Sequence, residues 1–146
     1  MHRFLLITLS AGISLSVVAC SYKKEASLDT KAVTIETLTS STESWGGDVY
    51  SYPKGKAQMT FQRITAQPGF KTPLHFHPQP GIAYVARGNL SCGMIDGQAL
   101  KVGPREAFAT NQDSVHYCEV VSKEPALVFV AYAGVKGKPI TLPYKK

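Results

Sequence analysis

Charge is scarce in this sequence. Only 18% of the 146 residues are charged, and the 16 basic ones are scattered rather than gathered into a stripe. A nucleic-acid binder needs a basic face, often interleaved with aromatics. The net charge of +6 therefore points to no nucleic-acid partner and supports no more than a weak attraction to anionic lipid. Long apolar runs are missing too. The one uncharged stretch, Phe4–Ala19, falls short of the roughly 20 residues a spanning helix needs. Beyond residue 20 no segment combines helical apolar spacing with caps, which excludes helical bundles and α/β layouts. Histidines number four and cysteines three, so metal or thiol chemistry has few residues to draw on.

His2 and Arg3 precede the uncharged stretch, and Val17-Val18-Ala19-Cys20 closes it. A basic start, a short apolar segment and a small residue before a cleavage point make a secretory signal. The closing residues resemble a bacterial lipobox, with an aliphatic residue three places before the Cys and a small one directly before it. That resemblance implies cleavage before Cys20 and acylation of Cys20, and two or more acyl chains anchor stably where one is marginal. The expected organisation is a signal peptide over 1–19, a polar lipidated tether over 20–32 and a folded domain over 33–146. Ser21 is not Asp, so the same resemblance favours the outer membrane, with the protein facing the periplasm. The other reading is an ordinary signal peptide with Cys20 incidental.

The rest of the chain reads as short β-branched and aromatic runs punctuated by Gly, Pro, Asn and Asp. Strands are expected at Val33–Thr39, Ala57–Ala66, Thr72–Phe76, Ile82–Arg87, Leu90–Ile95, Ala99–Val102, Glu106–Thr110, Val115–Val121 and Leu127–Ala133. Asp96-Gly97 between two of them is a hairpin signal, because a tight turn needs residues that tolerate positive φ. Many short strands at regular intervals indicate an all-β sandwich or barrel. Phe61, Phe76, Phe108 and Phe129 read as core.

Three histidines follow the signal segment: His75, His77 and His116. Side chains two apart on a strand share a face, so His75 and His77 present two imidazoles together while Phe76 faces away. His116 from another strand completes a three-ligand set with open coordination positions, the arrangement of catalytic rather than structural metal sites. His75-Phe76-His77 also sits inside a longer pattern. Gly69-x5-His75-x-His77-x3-Gly81-x6-Gly88 resembles the first motif of the cupin superfamily, G-x5-H-x-H-x3,4-E-x6-G. The second motif, G-x5-P-x-G-x2-H-x3-N, is matched loosely by Gly103 and His116, with Asn111, Asp113 and Val120 standing where Pro, Gly and Asn occur.

The resemblance implies a single-domain antiparallel jelly-roll barrel, with His75, His77 and His116 as metal ligands. It also implies a small organic ligand or substrate, and a homodimer, since cupins often dimerise. One departure matters: the motif's Glu, commonly the fourth ligand, falls at Gly81, and Gln79 is the nearest and a poor substitute. Three readings stay open. The histidines hold a divalent first-row metal (Fe, Ni, Cu or Zn), the barrel binds a ligand without metal, or the histidines are ordinary barrel residues. Imidazole-rich sites suit those four ions, and losing the carboxylate removes the ligand that favours Mn.

Cys118 shares the face of His116. The resemblance pairs the strand after Gly88 with the strand of the last His, bringing Cys92 near Cys118. A disulfide is expected for an even pair in an exported protein, with buried free thiols or thiolate ligation as alternatives. Trp45, Gly46, Gly47, Tyr50 and Tyr52 either line a ligand mouth or pack between strands. Tyr84 and Tyr117 lie on or beside the metal-bearing strands, and Glu119 has the wrong parity to join His116. No catalytic residue is identified, since no carboxylate stands as an obvious general base. The sequence supports three functions: a small metal-dependent enzyme, a non-catalytic periplasmic module that binds or senses a small molecule, or a structural envelope lipoprotein.

Overall fold

The segment Ala126–Val135 shows why this chain forms strands. Buried and half-buried residues alternate along its whole length, placing Ala126, Val128, Val130 and Tyr132 on one side and Leu127, Phe129 and Ala131 on the other. That period of two suits an extended chain with one face in a core. The computed structural model describes residues 33–145. The signal segment, Cys20 and the tether lie outside the described residues.

Nine strands occur among the described residues: β1 (Ala57–Ala66), β2 (His75–Phe76), β3 (Gly81–Arg87), β4 (Leu90–Met94), β5 (Ala99–Val102), β6 (Ala107–Ala109), β7 (His116–Val120), β8 (Ala126–Val135) and β9 (Leu142–Pro143). They form a four-stranded sheet, β1-β8-β3-β6, and a five-stranded sheet, β5-β4-β7-β2-β9. All strand pairs are antiparallel. The fold is an all-β antiparallel jelly roll. Val85, Val128 and Val130 from the first sheet meet Leu90, Cys92 and Val120 from the second in the core. Gly97 takes φ 92° in the β4–β5 turn, as the Asp-Gly pair requires.

β1 and β5 have the bounds expected from their sequence, and five other strands differ by a residue or two. Three expectations need correction. Val33–Thr39 pairs with nothing: β-branched residues favour strands only where a partner offers hydrogen bonds and cover, and Leu38 is 48% exposed. Of Thr72–Phe76 only His75–Phe76 is regular strand, preceded by an isolated bridge between Lys71 and Glu119. Phe61 is not core. It is 72% exposed and stacks at 5.7 Å on Phe129, which is likewise not core, on the outer face of the sheet, because both faces of β1 mix polar and apolar residues (Met59, Phe61 and Arg63 on one, Gln62 and Ile64 on the other) and alternation alone leaves the inner face undecided. β9, unanticipated from a short Pro-containing segment, pairs with β2 through His75–Pro143 and Phe76–Leu142. Pro is tolerated there because β9 is an edge strand.

Candidate metal centre

β2 and β7 bring the histidines together. His75 stands directly opposite His116 in their antiparallel register, and His77 follows just beyond the end of β2. The ring centroids form a near-equilateral triangle, with His75–His116 at 4.5 Å, His75–His77 at 5.0 Å and His77–His116 at 5.1 Å. One nitrogen from each lies within 4.8 Å of the others, within reach of a single ion.

The other ring nitrogens are all occupied in the same way. His75 Nδ1 lies 2.7 Å from the Pro73 carbonyl, His77 Nδ1 3.0 Å from that of Ile140, and His116 Nδ1 3.0 Å from that of Ser114. A carbonyl can only accept, so in the neutral ring Nδ1 carries the proton and Nε2 keeps its lone pair. This is the outer-shell arrangement that orients histidines bound to metals and fixes their tautomer. Ser114 is itself anchored, its hydroxyl donating to Asp48 Oδ1. Burial pushes His77 down from 6.5 to about 4, with smaller effects from the Ile140 carbonyl (upward) and from His116 and His75 (downward). Burial also lowers His116. Both rings are therefore neutral near pH 7, the form that ligates. The donor set fits a divalent metal held through three imidazoles.

No acid completes it. A Cβ built at Gly81 would come within 2.8 Å of Tyr132 Cδ1, 2.9 Å of Thr110 Oγ1 and 2.9 Å of the Ala131 carbonyl. No side chain fits there without movement of its neighbours. Tyr132 faces Gly81 in the β3–β8 register, and its ring lies 5.2 Å from that of His77. The space beside Gly81 is thus filled by a phenol and a hydroxyl. Gln79 turns away, donating from Nε2 to the Pro139 carbonyl at 3.0 Å.

The histidines line a cavity of about 450 Å³ between the two sheets, walled by Ile64, Leu90, Phe108, Val128 and Val130 among others. Its size lies in the roughly 300–1,000 Å³ range of small-molecule sites. Trp45 also reaches the wall, edge-on to His116 at 6.3 Å, and packs against the core. Both readings of this residue hold together. Tyr50 instead donates its hydroxyl to the Thr110 carbonyl, and Tyr52 is 85% exposed.

Residues 62–132 match the family model described as Cupin domain. The chain carries a cupin domain. No curated protein matches the sequence. Among solved structures, the chain is similar to an oxalate oxidase in complex with the substrate analogue glycolate (23% identity, TM-score 0.50, covering 57% of this chain and 45% of that one). It is also similar to a DMSP lyase from Ruegeria pomeroyi (16% identity, TM-score 0.50, covering 67% and 46%). A polyketide cyclase from Streptomyces resistomycificus matches at 19% identity and TM-score 0.50, covering 63% and 65%. The chain thus spans less than half the length of the oxidase and the lyase, and identities this low speak for the fold alone.

Within the cupin domain the loose second motif has a structural explanation. Asp113 stands where the motif has Gly and adopts φ 65°, a left-handed conformation that Asp tolerates better than most residues. Its amide donates to the His77 carbonyl at 2.8 Å, so the turn before β7 is tied to the first motif. Asn111 is fully buried and accepts from the Gly46 amide at 3.0 Å. Cys92 and Cys118 are directly opposite on β4 and β7, Cα atoms 4.0 Å apart, and are joined by a disulfide. Cys118 lines the cavity. Glu119 points instead toward Lys71, 3.9 Å away at the surface. Lys71 also sits 3.8 Å above the Tyr117 ring.

Sequence reasoning missed the C-terminal segment. Ile140 orients His77, Thr141 Oγ1 stands 3.2 Å from the same nitrogen, and Pro143 lines the cavity. Nothing local in that segment signals a site, since it acts through a backbone carbonyl. Tyr132 and Thr110 were also missed, although the β-alternation around each gave their parity.

Proposed function

We propose that this protein binds a small organic molecule at a divalent first-row metal held by His75, His77 and His116, in an exported cupin domain anchored to the membrane through Cys20. The observation that carries the reading is the common orientation of three imidazoles, each with Nδ1 tied to a backbone carbonyl and Nε2 left for a ligand. Bound there, the ion would supply Lewis acidity to a molecule held against it. The chain's residues do the rest. The carbonyls of Pro73, Ile140 and Ser114 hold the rings in place, the apolar wall excludes water, and Tyr132 closes the side where the family motif has an acid.

No Asp or Glu lines the cavity among the described residues, so a protein carboxylate is not the general base. That favours two uses of the site: binding or sensing, or a reaction that the metal alone activates. Oxygen uptake with candidate substrates separates them.

Metal analysis of the purified protein, supplied with Fe, Ni, Cu or Zn, tests the reading. We expect one ion per chain, and less than a tenth of that in His77→Ala, with the barrel still folded by circular dichroism. Equal metal in both proteins would overturn it. For the anchor, a palmitate analogue fed to expressing cells should label the wild type and leave Cys20→Ala unlabelled. Equal labelling would exclude Cys20 as the anchor.

A further inference from the structure

His75 and His116 are aimed in the same way, each by the carbonyl two residues before it, Pro73 and Ser114. The two carbonyls are not equally secure. Pro73 is stiffened by its own ring. Ser114 lacks that restraint and follows Asp113 at φ 65°, so its peptide plane depends on contacts from elsewhere. They come from the loop Ser44–Asp48. The Ser114 hydroxyl donates to Asp48 Oδ1, 66 positions away. Asp48 is fastened in turn by Ser44, which is 7% exposed. Ser44 Oγ accepts from the Gly46 and Asp48 amides at 3.2 and 3.0 Å, so its single proton goes to Asp48 Oδ2 at 3.1 Å. Both carboxylate oxygens thus receive a hydroxyl, which fits an acid and not an amide. The loop itself is pinned to the barrel, the Trp45 amide donating to the Ala109 carbonyl at 3.2 Å and the Gly46 amide to Asn111 Oδ1 at 3.0 Å. Trp45 then stands edge-on to His116.

We infer that Asp48 is a positioning residue of the metal centre: through the Ser114 hydroxyl it fixes the carbonyl that holds His116 Nδ1, and so sets the tautomer of the ring and the aim of Nε2. This deepens the proposed function, on which it rests for the ion but not for the orientation of the ring. Asp48 is not a ligand, because Ser114 stands between it and His116. Its negative charge nevertheless acts on that ring, which places an acid one step behind a ligand set whose own motif acid is missing at Gly81. Outer partners of this kind change metal affinity by about 10–100-fold when removed.

The test uses the full-length protein and two readouts. Nitrogen-15 shifts of the His116 ring in the metal-free protein report its tautomer, and competition with a chromophoric chelator reports Zn(II) affinity. The wild type should hold His116 with the proton on Nδ1. Ser114→Ala removes the hydroxyl and keeps the carbonyl. It should give a mixture of tautomers and weaken zinc about tenfold or more, as should Asp48→Ala. Ser114→Thr, which keeps a hydroxyl at the same position, should restore the wild-type tautomer and most of the affinity. The double variant should bind zinc no more weakly than Asp48→Ala alone, because the two residues act in one chain of contacts. An unchanged tautomer or unchanged zinc affinity in Ser114→Ala overturns the inference, and so do losses that multiply in the double variant. If Asp48→Ala does not fold, Ser114→Ala and Ser114→Thr decide the matter. If the wild type binds no zinc, the metal reading fails, and the tautomer in the metal-free proteins still decides whether Asp48 and Ser114 position the ring.

Discussion

The two sheets of this domain do different work. The five-stranded sheet carries the chemistry: His75 on β2, His116 on β7, His77 just past β2, and the disulfide linking β4 to β7. The four-stranded sheet carries no ligand and supplies wall: Ala83 from β3, Phe108 from β6, and Val128, Val130 and Tyr132 from β8. The difference teaches that ligand position and cavity shape are separable here. Backbone carbonyls on turns and on the C-terminal segment aim the histidines. The facing sheet determines what the histidines look out upon.

If that division is right, perturbing one sheet should leave the other's task intact. After the loss of metal expected for His77→Ala, the largest effect should come from the covalent link within the five-stranded sheet. Cys92 and Cys118 are 26 residues apart in sequence, and closing such a loop is worth roughly 3 kcal/mol in the chain-entropy model. Denaturant unfolding of the oxidised protein and of Cys92→Ala/Cys118→Ala should differ by about that amount. Equal stability would show that the β4–β7 pairing needs no staple.

A comparable effect should appear on acidification of the metal-free protein. Folding lowers His77 from 6.5 to about 4 through burial, so between those values the unfolded chain takes up a proton that the folded chain refuses. Stability contributed by this group is intact above pH 6.5, falls as pH drops, and is fully lost below about 4. At roughly 1.4 kcal/mol per unit, the full loss is on the order of 3 kcal/mol. Urea unfolding at pH 7 and at pH 4.5 measures it, and His77→Ala should flatten the slope. A slope left unchanged by that substitution would assign the acid sensitivity elsewhere, since only the part due to His116, which burial also lowers, should remain.

The smallest effects belong to the four-stranded sheet, and they sharpen the contrast between its faces. Val85 is fully buried, and Val85→Ala should cost about 1–3 kcal/mol, with stoichiometric metal retained. Phe61, on the outer face, should cost no more than about 0.5 kcal/mol as Phe61→Ser. Thermal melts with metal analysis check both. Loss of metal in Val85→Ala would show that the wall helps to hold the ligand set.

Much of this was legible in the sequence because it is local. Alternation places His75 and His77 on one face whatever surrounds them, and Asp96-Gly97 turns the chain on its own. The absence of an acid at Gly81 is likewise plain from the residues. What only the tertiary structure decided depends on partners distant in sequence. The Ile140 carbonyl reaches His77 across 63 positions, and a carbonyl has no residue identity to recognise. Tyr132 closes the space beside Gly81 through the β3–β8 register, and register is a property of two strands. The same reason explains β1, where mixed polar and apolar residues on both faces left Phe61 free to fall inside or out until the register with β8 put it on the face of Phe129 and Ala131.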